Sequence, residues 1–176
     1  MTEEYYPPGA FYFSVTVLGS ATPVAMLTDI DASFEEITGI QAQFDVEDVV
    51  EGGENRFVHH LPRPAKYSNL VLKRGVVTGD SFLSQWVGQT VGASLSLPIL
   101  TQNLMVTLLN NQGVPSIAWL FINAYPLSWQ VSDMNSQKNQ ILTESLTFSY
   151  NYFEQVNLGS GASAVAKLAQ LAMRFA

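Results

Sequence analysis

Cysteine is absent from this chain of 176 residues, so disulfide bonds and thiolate metal sites are excluded. Charged residues are scarce, at 13% of the sequence, and 8 Lys and Arg stand against 15 Asp and Glu. The formal net charge of −7 lacks the positive electrostatic footprint of a tight nucleic-acid-binding protein. Such a low charge density indicates that partners cover much of the surface.

Long apolar runs are also lacking, because Gly88, Gln89, Gly92 and Gln102 interrupt the most apolar region. No run approaches the roughly 18 apolar residues that a membrane-spanning helix requires. The first residues, MTEEYYPPGAF, are acids and prolines in place of the basic and apolar segments of a secretory signal. We therefore expect a protein that is assembled in the cytoplasm and does not insert into a membrane.

Residues suited to catalysis or metal binding are few. His59 and His60 are the only histidines. As neighbours on a strand they point to opposite faces, so we expect one ring to pack inward and the two not to chelate one metal ion. Neither has a G-x-S-x-G nucleophile elbow to serve. Residues 159–164 fit G-x-G-x-x-A, but without a following strand a flexible linker is the better interpretation. We expect no enzyme activity, no metal ion and no cofactor.

Alternating apolar and polar residues predict a mainly β fold, an antiparallel barrel or sandwich. One strand is predicted over residues 40–47, and we expect its apolar side to pack on the domain's own core. Its polar side consists of Gln41, Gln43, Asp45 and Glu47. Turn residues at 51–55 and a returning strand over 56–61 complete a long β-hairpin.

Further strands are predicted over residues 11–17, 104–109, 117–124 and 143–154, with Pro126 ending the third of these. A short helix capped by Asp80 is predicted over residues 81–87.

The last twenty residues differ in character from the rest. After Gly159-Ser160-Gly161, one helical face carries Leu168, Leu171 and Phe175, and the other carries Lys167, Gln170 and Arg174. This pattern predicts a short amphipathic helix, which packs either on its own domain or on a neighbour. We therefore expect a β domain over residues 1–156, followed by a glycine joint and a C-terminal helix over residues 157–176.

Motifs between residues 52 and 75 follow one another in an order that resembles tail tube proteins of contractile-tailed phages and contractile injection systems. That family carries a glycine-bearing hairpin tip, a returning strand, an L-P-x-x-x-K-Y turn and an L-V-L-K-R-G strand. The corresponding stretches here are Gly52-Gly53, Phe57-Val58-His59, residues 61–67 and residues 70–75. The signature residues are His59, Pro62, Pro64, Lys66, Lys73, Arg74 and Gly75. Residues 119–126, WLFINAYP, are similar to the family's W-x-F-x-N-A-x-P element.

The resemblance implies a structural subunit of the inner tube of a contractile tail or injection system. Six such subunits would form a ring, each giving four strands to a shared inner barrel, and rings would stack. The polar residues Gln41, Gln43, Asp45 and Glu47 would then line the lumen. Gly52, Gly53 and Glu54, at the hairpin tip, would contact the next ring. Sheath and baseplate proteins are the implied partners, with protein or DNA as cargo.

Two alternatives remain open from the sequence. One is a monomeric β-barrel that binds an apolar ligand through Phe148, Tyr150 and Tyr152. The other is a specialised tube ring near the baseplate or tip. It is favoured by the apolar stretch over residues 88–103, where relatives carry charge, and by the helix beyond the family's usual end.

Overall fold

The structure, a computed structural model, describes residues 11–18, 30–53, 56–76, 81–92, 96, 98–110, 112–133, 141–158, 166–167 and 169–170. Its strands and helix α1 are β1 Phe11–Leu18, β2 Ile30–Thr38, β3 Ala42–Val49, β4 His59–Tyr67, β5 Leu70–Gly75, α1 Phe82–Val91, β6 Gln102–Asn110, β7 Pro115–Val131, β8 Thr143–Ser149 and β9 Tyr152–Asn157. The predicted mainly β, antiparallel fold is confirmed. Ala166, Lys167, Ala169 and Gln170 are also helical, while the rest of the predicted C-terminal helix and its glycine joint lie outside the described residues.

Six strands close on themselves into a barrel in the order β6-β1-β2-β5-β8-β7, because β7 pairs back onto β6. Strand β9 continues the line of β8 along the edge of β7. Strands β3 and β4 form a separate two-stranded sheet that extends from β2 and β5 beyond the barrel. The barrel is therefore a complete unit, and the hairpin is an addition to it.

Alternate side chains of the barrel strands fill its interior. Val15 of β1 lies opposite Val106 of β6, and both are fully buried. The rings of Phe121 and Tyr150 meet edge to face at 4.8 Å between centroids. Trp86 of α1 stacks on Phe148 at 5.5 Å, so the helix packs on the same core. Burial of these large rings supplies much of the stability of the domain.

Helix α1 begins and ends later than predicted. Its N-cap is Ser81, whose backbone is extended and whose Oγ accepts a hydrogen bond from the amide of Ser84 at 3.3 Å. This is the arrangement that satisfies a free amide of the first turn. The prediction that Asp80 is the cap and Val87 the end was wrong, because the helix continues to Val91 and Gly92 follows it.

Pro126 was predicted to end a strand, and Pro62 and Pro64 to lie in a turn, but all three prolines lie within strands. Pro62 and Pro64 belong to β4, and Pro126 belongs to β7. Pro62 and Pro64 lie where the pairing of β4 with β3 shifts register, opposite the interval between Phe44 and Val46. Pro126 lies where the pairing of β7 with β8 shifts register, between Pro126 and Ser128. Proline has no amide hydrogen to donate, so strands accept it at edges and irregular positions of this kind.

The long strand predicted over residues 143–154 is in fact two strands. It breaks at Tyr150 and Asn151, where the amide of Asn151 donates to the carbonyl of Ile122 at 3.0 Å. Tyr150 keeps the inward direction of the predicted apolar face, whereas Tyr152 is exposed. The predicted alternation therefore holds only up to the break.

Asn123 forms a bulge in the middle of β7. Its φ of 53° is in the left-handed region, and its backbone amide donates to the side-chain Oδ1 of Asn103 at 3.0 Å. Two residues of β7, Ile122 and Asn123, therefore lie opposite a single residue of β6, Asn103. Phe121 points into the barrel core and Ile122 away from it, and the extra residue shifts the alternation so that Ala124 points inward again.

We predict that Asn123→Val lowers the free energy of unfolding by about 1–3 kcal/mol, because a β-branched residue is strained at positive φ. Asn123→Gly is the matched control, since glycine adopts this backbone conformation without strain. Urea denaturation of the three proteins measures the difference. Equal stability of the valine and glycine variants would contradict the strain argument.

A buried ion pair joins strands that are far apart in the sequence. Arg74 Nε donates to Oε1 of Glu144 at 2.7 Å, and both side chains are almost fully buried. The guanidinium also donates to the hydroxyls of Ser81 at 2.9 Å and Ser84 at 2.7 Å. Trp129 Nε1 donates to the second carboxylate oxygen at 3.0 Å. One network thus connects β5, β7, β8 and the start of α1.

We predict that Arg74→Met lowers the free energy of unfolding by about 3–5 kcal/mol, because it leaves the Glu144 carboxylate buried without its partner. The adjacent Lys73→Met is the control. Lys73 forms a more exposed ion pair with Glu36 at 3.5 Å, which is worth about 0–1 kcal/mol. Chemical denaturation measures the free energy of unfolding of both variants. A similar decrease in the two would refute the prediction that the buried ion pair matters more.

Candidate functional site

The hairpin of β3 and β4 projects from the barrel, and its outer strand edges are unpaired in the part of the chain that the structure describes. Its register runs from Ala42 opposite Tyr67 to Val49 opposite His59. Within the described residues, neither strand pairs with any strand other than its hairpin partner. Unpaired edges carry free amide and carbonyl groups that another strand can satisfy.

One face of the hairpin is apolar and uncovered, and we call it the apolar face. It carries Phe44 and Val46 on β3, opposite Ala65 and Pro62 on β4. Phe44 is 69% exposed and Val46 is 60% exposed. The prediction that this side packs on the domain's own core was wrong beyond Ile40, which does contact the core. The strand leaves the barrel after Ile40, so no core lies beneath the rest.

The opposite face carries the predicted lumen residues, and we call it the polar face. Gln41, Gln43 and Glu47 are exposed, and Asp45 is half-buried. Gln41 donates to Gln43 at 3.3 Å. Lys66 of β4 forms an ion pair with Asp45. Gln43, Asp45 and Glu47 alternate along β3 and so share one side of it, and Gln41, which precedes the strand, reaches Gln43 through its side chain.

The two histidines lie near the tip of the hairpin, and both are exposed. His60 Nδ1 is 2.5 Å from Oδ1 of Asp48, and His59 Nε2 is 3.4 Å from Oε1 of Glu51. The expectation that one ring packs inward was wrong, because the hairpin has no core of its own. No group of three or more potential metal ligands occurs in the described part of the chain.

The two described residues of the predicted stacking tip, Gly52 and Gly53, are exposed to solvent. Gly52 and Gly53 form the turn, and Gly53 has a φ of 98°, which suits glycine. Glu54, the third predicted tip residue, lies outside the described residues. A Cβ added at Gly52 or Gly53 would meet nothing within 4 Å apart from the chain neighbours.

A junction at the base of the hairpin holds it to the barrel, and the sequence did not reveal it. Gly39 has a φ of 87°, and a side chain there would overlap the carbonyl of Asn69. Tyr150 Oη donates to the carbonyl of Gly39 at 3.4 Å. The ring of Tyr67 lies 6.0 Å from that of Tyr150. Burial raises the pKa of Tyr150, and Tyr67 raises it further. The one feature of the sequence that could have indicated this junction is Gly39, which lies between two segments of alternating apolar and polar residues.

The remaining signature residues belong to the barrel. Lys73 and Arg74 make the ion pairs described above. Gly75 ends β5 opposite Thr143. These residues hold the barrel strands that continue into the hairpin, and they do not form a site with the polar face.

The sequence model of the family described as T4-like virus tail tube protein gp19 matches residues 9–154. This match spans the barrel, the hairpin and the junction between them. The chain belongs to this tail tube family. The protein is therefore a tail tube subunit, and the matched part ends within β9.

Solved structures support the tail tube fold. The chain is 25% identical to a chain in the cryo-EM structure of the anti-feeding prophage (AFP) baseplate, with a TM-score of 0.73 and coverage of 87% of this chain and 97% of that one. A chain of the PVC sheath-tube complex of an extracellular contractile injection system is 20% identical, with a TM-score of 0.69 and coverage of 88% and 94%. The AFP tube terminating cap gives 22% identity, a TM-score of 0.69 and coverage of 87% and 93%. No curated protein sequence matches the chain. Among the described residues, no helix has the length and apolar character needed to cross a membrane.

We predict that Gly39→Ala lowers the free energy of unfolding by about 2–3 kcal/mol or more, because the new Cβ overlaps the Asn69 carbonyl at a positive φ. Gly52→Ala is the control, since a Cβ there meets nothing within 4 Å. Urea denaturation compares the two. A Gly39→Ala protein as stable as the Gly52→Ala protein would show that the junction tolerates a side chain.

Proposed function

We propose that six copies of this tail tube subunit close into a ring through their hairpins, and that the rings stack into the inner tube of a contractile tail or injection system. The apolar face of the hairpin is the observation that carries the proposal. Phe44 and Val46 have no cover within the subunit, and burying each of them would contribute about 1.5–3 kcal/mol. A neighbouring copy supplies that cover at every position of a closed ring.

Strand edges support the same arrangement. Closure of the barrel leaves its own six strands without open edges, so among the described residues the outer edges of β3, β4 and β9 are the places where a neighbour can add hydrogen bonds. Ring closure removes all such edges at once. The matched AFP baseplate structure is six-fold symmetrised, and this supports six as the number of copies.

The polar face lines the lumen in this proposal. With Phe44 and Val46 turned toward a neighbouring subunit, the opposite side of β3 presents Gln41, Gln43, Asp45 and Glu47 to the channel. If each of the six copies gives four strands to the inner barrel, as the family resemblance implies, about 24 strands spaced about 4.8 Å apart and tilted near 45° enclose roughly 40 Å after side chains. A channel of that width admits duplex DNA or a small folded protein as cargo.

Stacking and partners complete the proposal. The exposed tip at Gly52 and Gly53, with Glu54, contacts the next ring. Sheath and baseplate proteins surround and anchor the tube, in keeping with the sheath-tube and baseplate structures to which the chain is similar. The subunit acts by assembly and catalyses no reaction. Its place is in a phage tail or a tail-like particle, either along the shaft or in a specialised ring near one end.

The ligand-binding alternative loses its support in the barrel interior. Phe148 and Tyr150 are buried in ring contacts with Trp86 and Phe121, and Tyr152 is exposed. These three aromatic residues therefore do not line a common cavity. Negative-stain electron microscopy of the purified protein over a range of concentrations tests the ring proposal. Six-fold rings or tubes support it, and monomers at every concentration would refute it.

We predict that Phe44→Ser combined with Val46→Ser abolishes rings while the barrel remains folded, because neither side chain contributes to the core. Electron microscopy and thermal unfolding of the same sample measure assembly and stability separately. The matched control is Gln41→Lys with Glu47→Lys on the polar face, which should leave rings intact. Loss of rings in this control would show that the polar face is an interface and does not line a lumen.

A further inference from the structure

The surface around α1 is formed by a stretch of the chain that carries no charge. Charged residues make up 13% of the sequence, yet none of them, and neither histidine, lies between Ser81 and Ser132. The outward residues of α1 are nevertheless exposed, among them Phe82, Gln85 and Gln89. The side of a helix that faces water is normally where charged residues lie. Exposed apolar side chains without neighbouring charge are typical of the centre of a protein interface.

A cleft of about 220 Å³ opens in this surface, between α1 and residues 98–100. Trp86 forms one wall and is held in place, because its ring stacks on Phe148 and its Nε1 donates to the carbonyl of Leu100 at 3.1 Å. Thr90 Oγ1 donates to the carbonyl of Trp86 at 2.8 Å. The lining residues are Trp86, Gln89, Thr90, Pro98 and Leu100. The folded subunit alone therefore forms the cleft.

The size and the rim of the cleft favour a protein side chain as its occupant. Its volume is below the roughly 300–1,000 Å³ of most small-molecule sites. Leu100 is 66% exposed, and Ile99, between two lining residues, is also exposed. A pocket of this kind suits one large apolar side chain, which anchors an interface while the apolar rim excludes water.

A second copy of the chain is the partner that the structure favours. Subunits that close a ring meet head to tail, so each copy needs two different surfaces that fit each other. The apolar face of the hairpin is one such surface, and Phe44 is its largest side chain. The residues around it, Val46, Pro62 and Ala65, are uncharged like the lining of the cleft. Joining the two surfaces therefore buries no unpaired charge, and permanent interfaces are the more hydrophobic ones.

We propose that the cleft between α1 and residues 98–100 receives Phe44 from the hairpin of the next copy in the ring. The inference rests on the proposed ring and names the surface that covers the apolar face. Phe44 enters the cleft beside Trp86, and Val46 packs on the rim at Ile99. Each copy then uses its hairpin on one side and its cleft on the other, and the last cleft receives the first hairpin.

Cross-linking tests this pairing, since the natural chain has no cysteine to react. Val46→Cys and Ile99→Cys are made in one chain, so that Phe44 and every lining residue are kept. Both positions are exposed in the subunit. A short bismaleimide is added to assembled rings, and the products are separated under denaturing conditions. We expect a ladder of linked chains that ends at six. Neither single variant should give linked chains.

Gln43→Cys with Ile99→Cys is the matched control, because Gln43 is exposed on the opposite side of β3. It should leave the chains unlinked. A ladder that continues beyond six would place the contact between stacked rings and overturn the pairing. Linked chains from Val46→Cys alone would also overturn it, because hairpins would then meet each other. Rings that yield no linked chains would refute the pairing and leave the proposed ring in place.

Leu100→Asp tests the cleft without a cross-linker. It places a carboxylate at the mouth of the cleft, and the exposure of Leu100 means that the core is not altered. We expect rings to be lost while the thermal unfolding of the subunit is unchanged. Rings that persist in this variant would refute the pairing. Electron microscopy of the natural protein under the same conditions separates the two proposals, since a failure to form rings there refutes the proposed function and this pairing with it.

Discussion

Pairing of β7 back onto β6 is the constraint on which the rest of the structure depends. It closes six strands into a barrel whose hydrogen bonds and core are complete within one subunit. The hairpin of β3 and β4 lies beyond the barrel with an exposed apolar face, and among the described residues its two outer edges have no strand partner. A complete barrel with an incomplete hairpin is what an assembly subunit needs, because the monomer folds first and gains its remaining contacts on assembly.

The hairpin can serve as an assembly element only if its base is rigid. Gly39 allows the chain to pass close to the backbone of Asn69, and Tyr150 fixes the Gly39 carbonyl. The buried pair of Arg74 and Glu144 then ties β5, which continues from β4, to β8 and to α1. The orientation of the hairpin is thus determined by the core of its own subunit, although its faces are not covered there.

Period-two alternation was sufficient to predict the strands and which residues of β3 share a side. It could not predict what covers each side, which is why Phe44 and Val46 were assigned to a core that ends at Ile40. Proline signals were misleading at Pro126, because a strand tolerates proline where its pairing register shifts. The ion pair of Arg74 and Glu144 joins residues 70 positions apart, and local patterns carry no information about such a contact. The motif order around the hairpin, by contrast, identified the family.

Hydrogen exchange measured by mass spectrometry, on dispersed subunits and on assembled rings of the natural protein, tests most directly whether the hairpin is the assembly element. Amides of β3 and β4 should exchange rapidly in the dispersed subunit and become protected in rings, because a neighbour then covers the apolar face and the free edges. Amides of β1, β5 and β6 should be protected in both states, since barrel closure does not need a neighbour. Protection gained elsewhere, with β3 and β4 unchanged, would contradict this account.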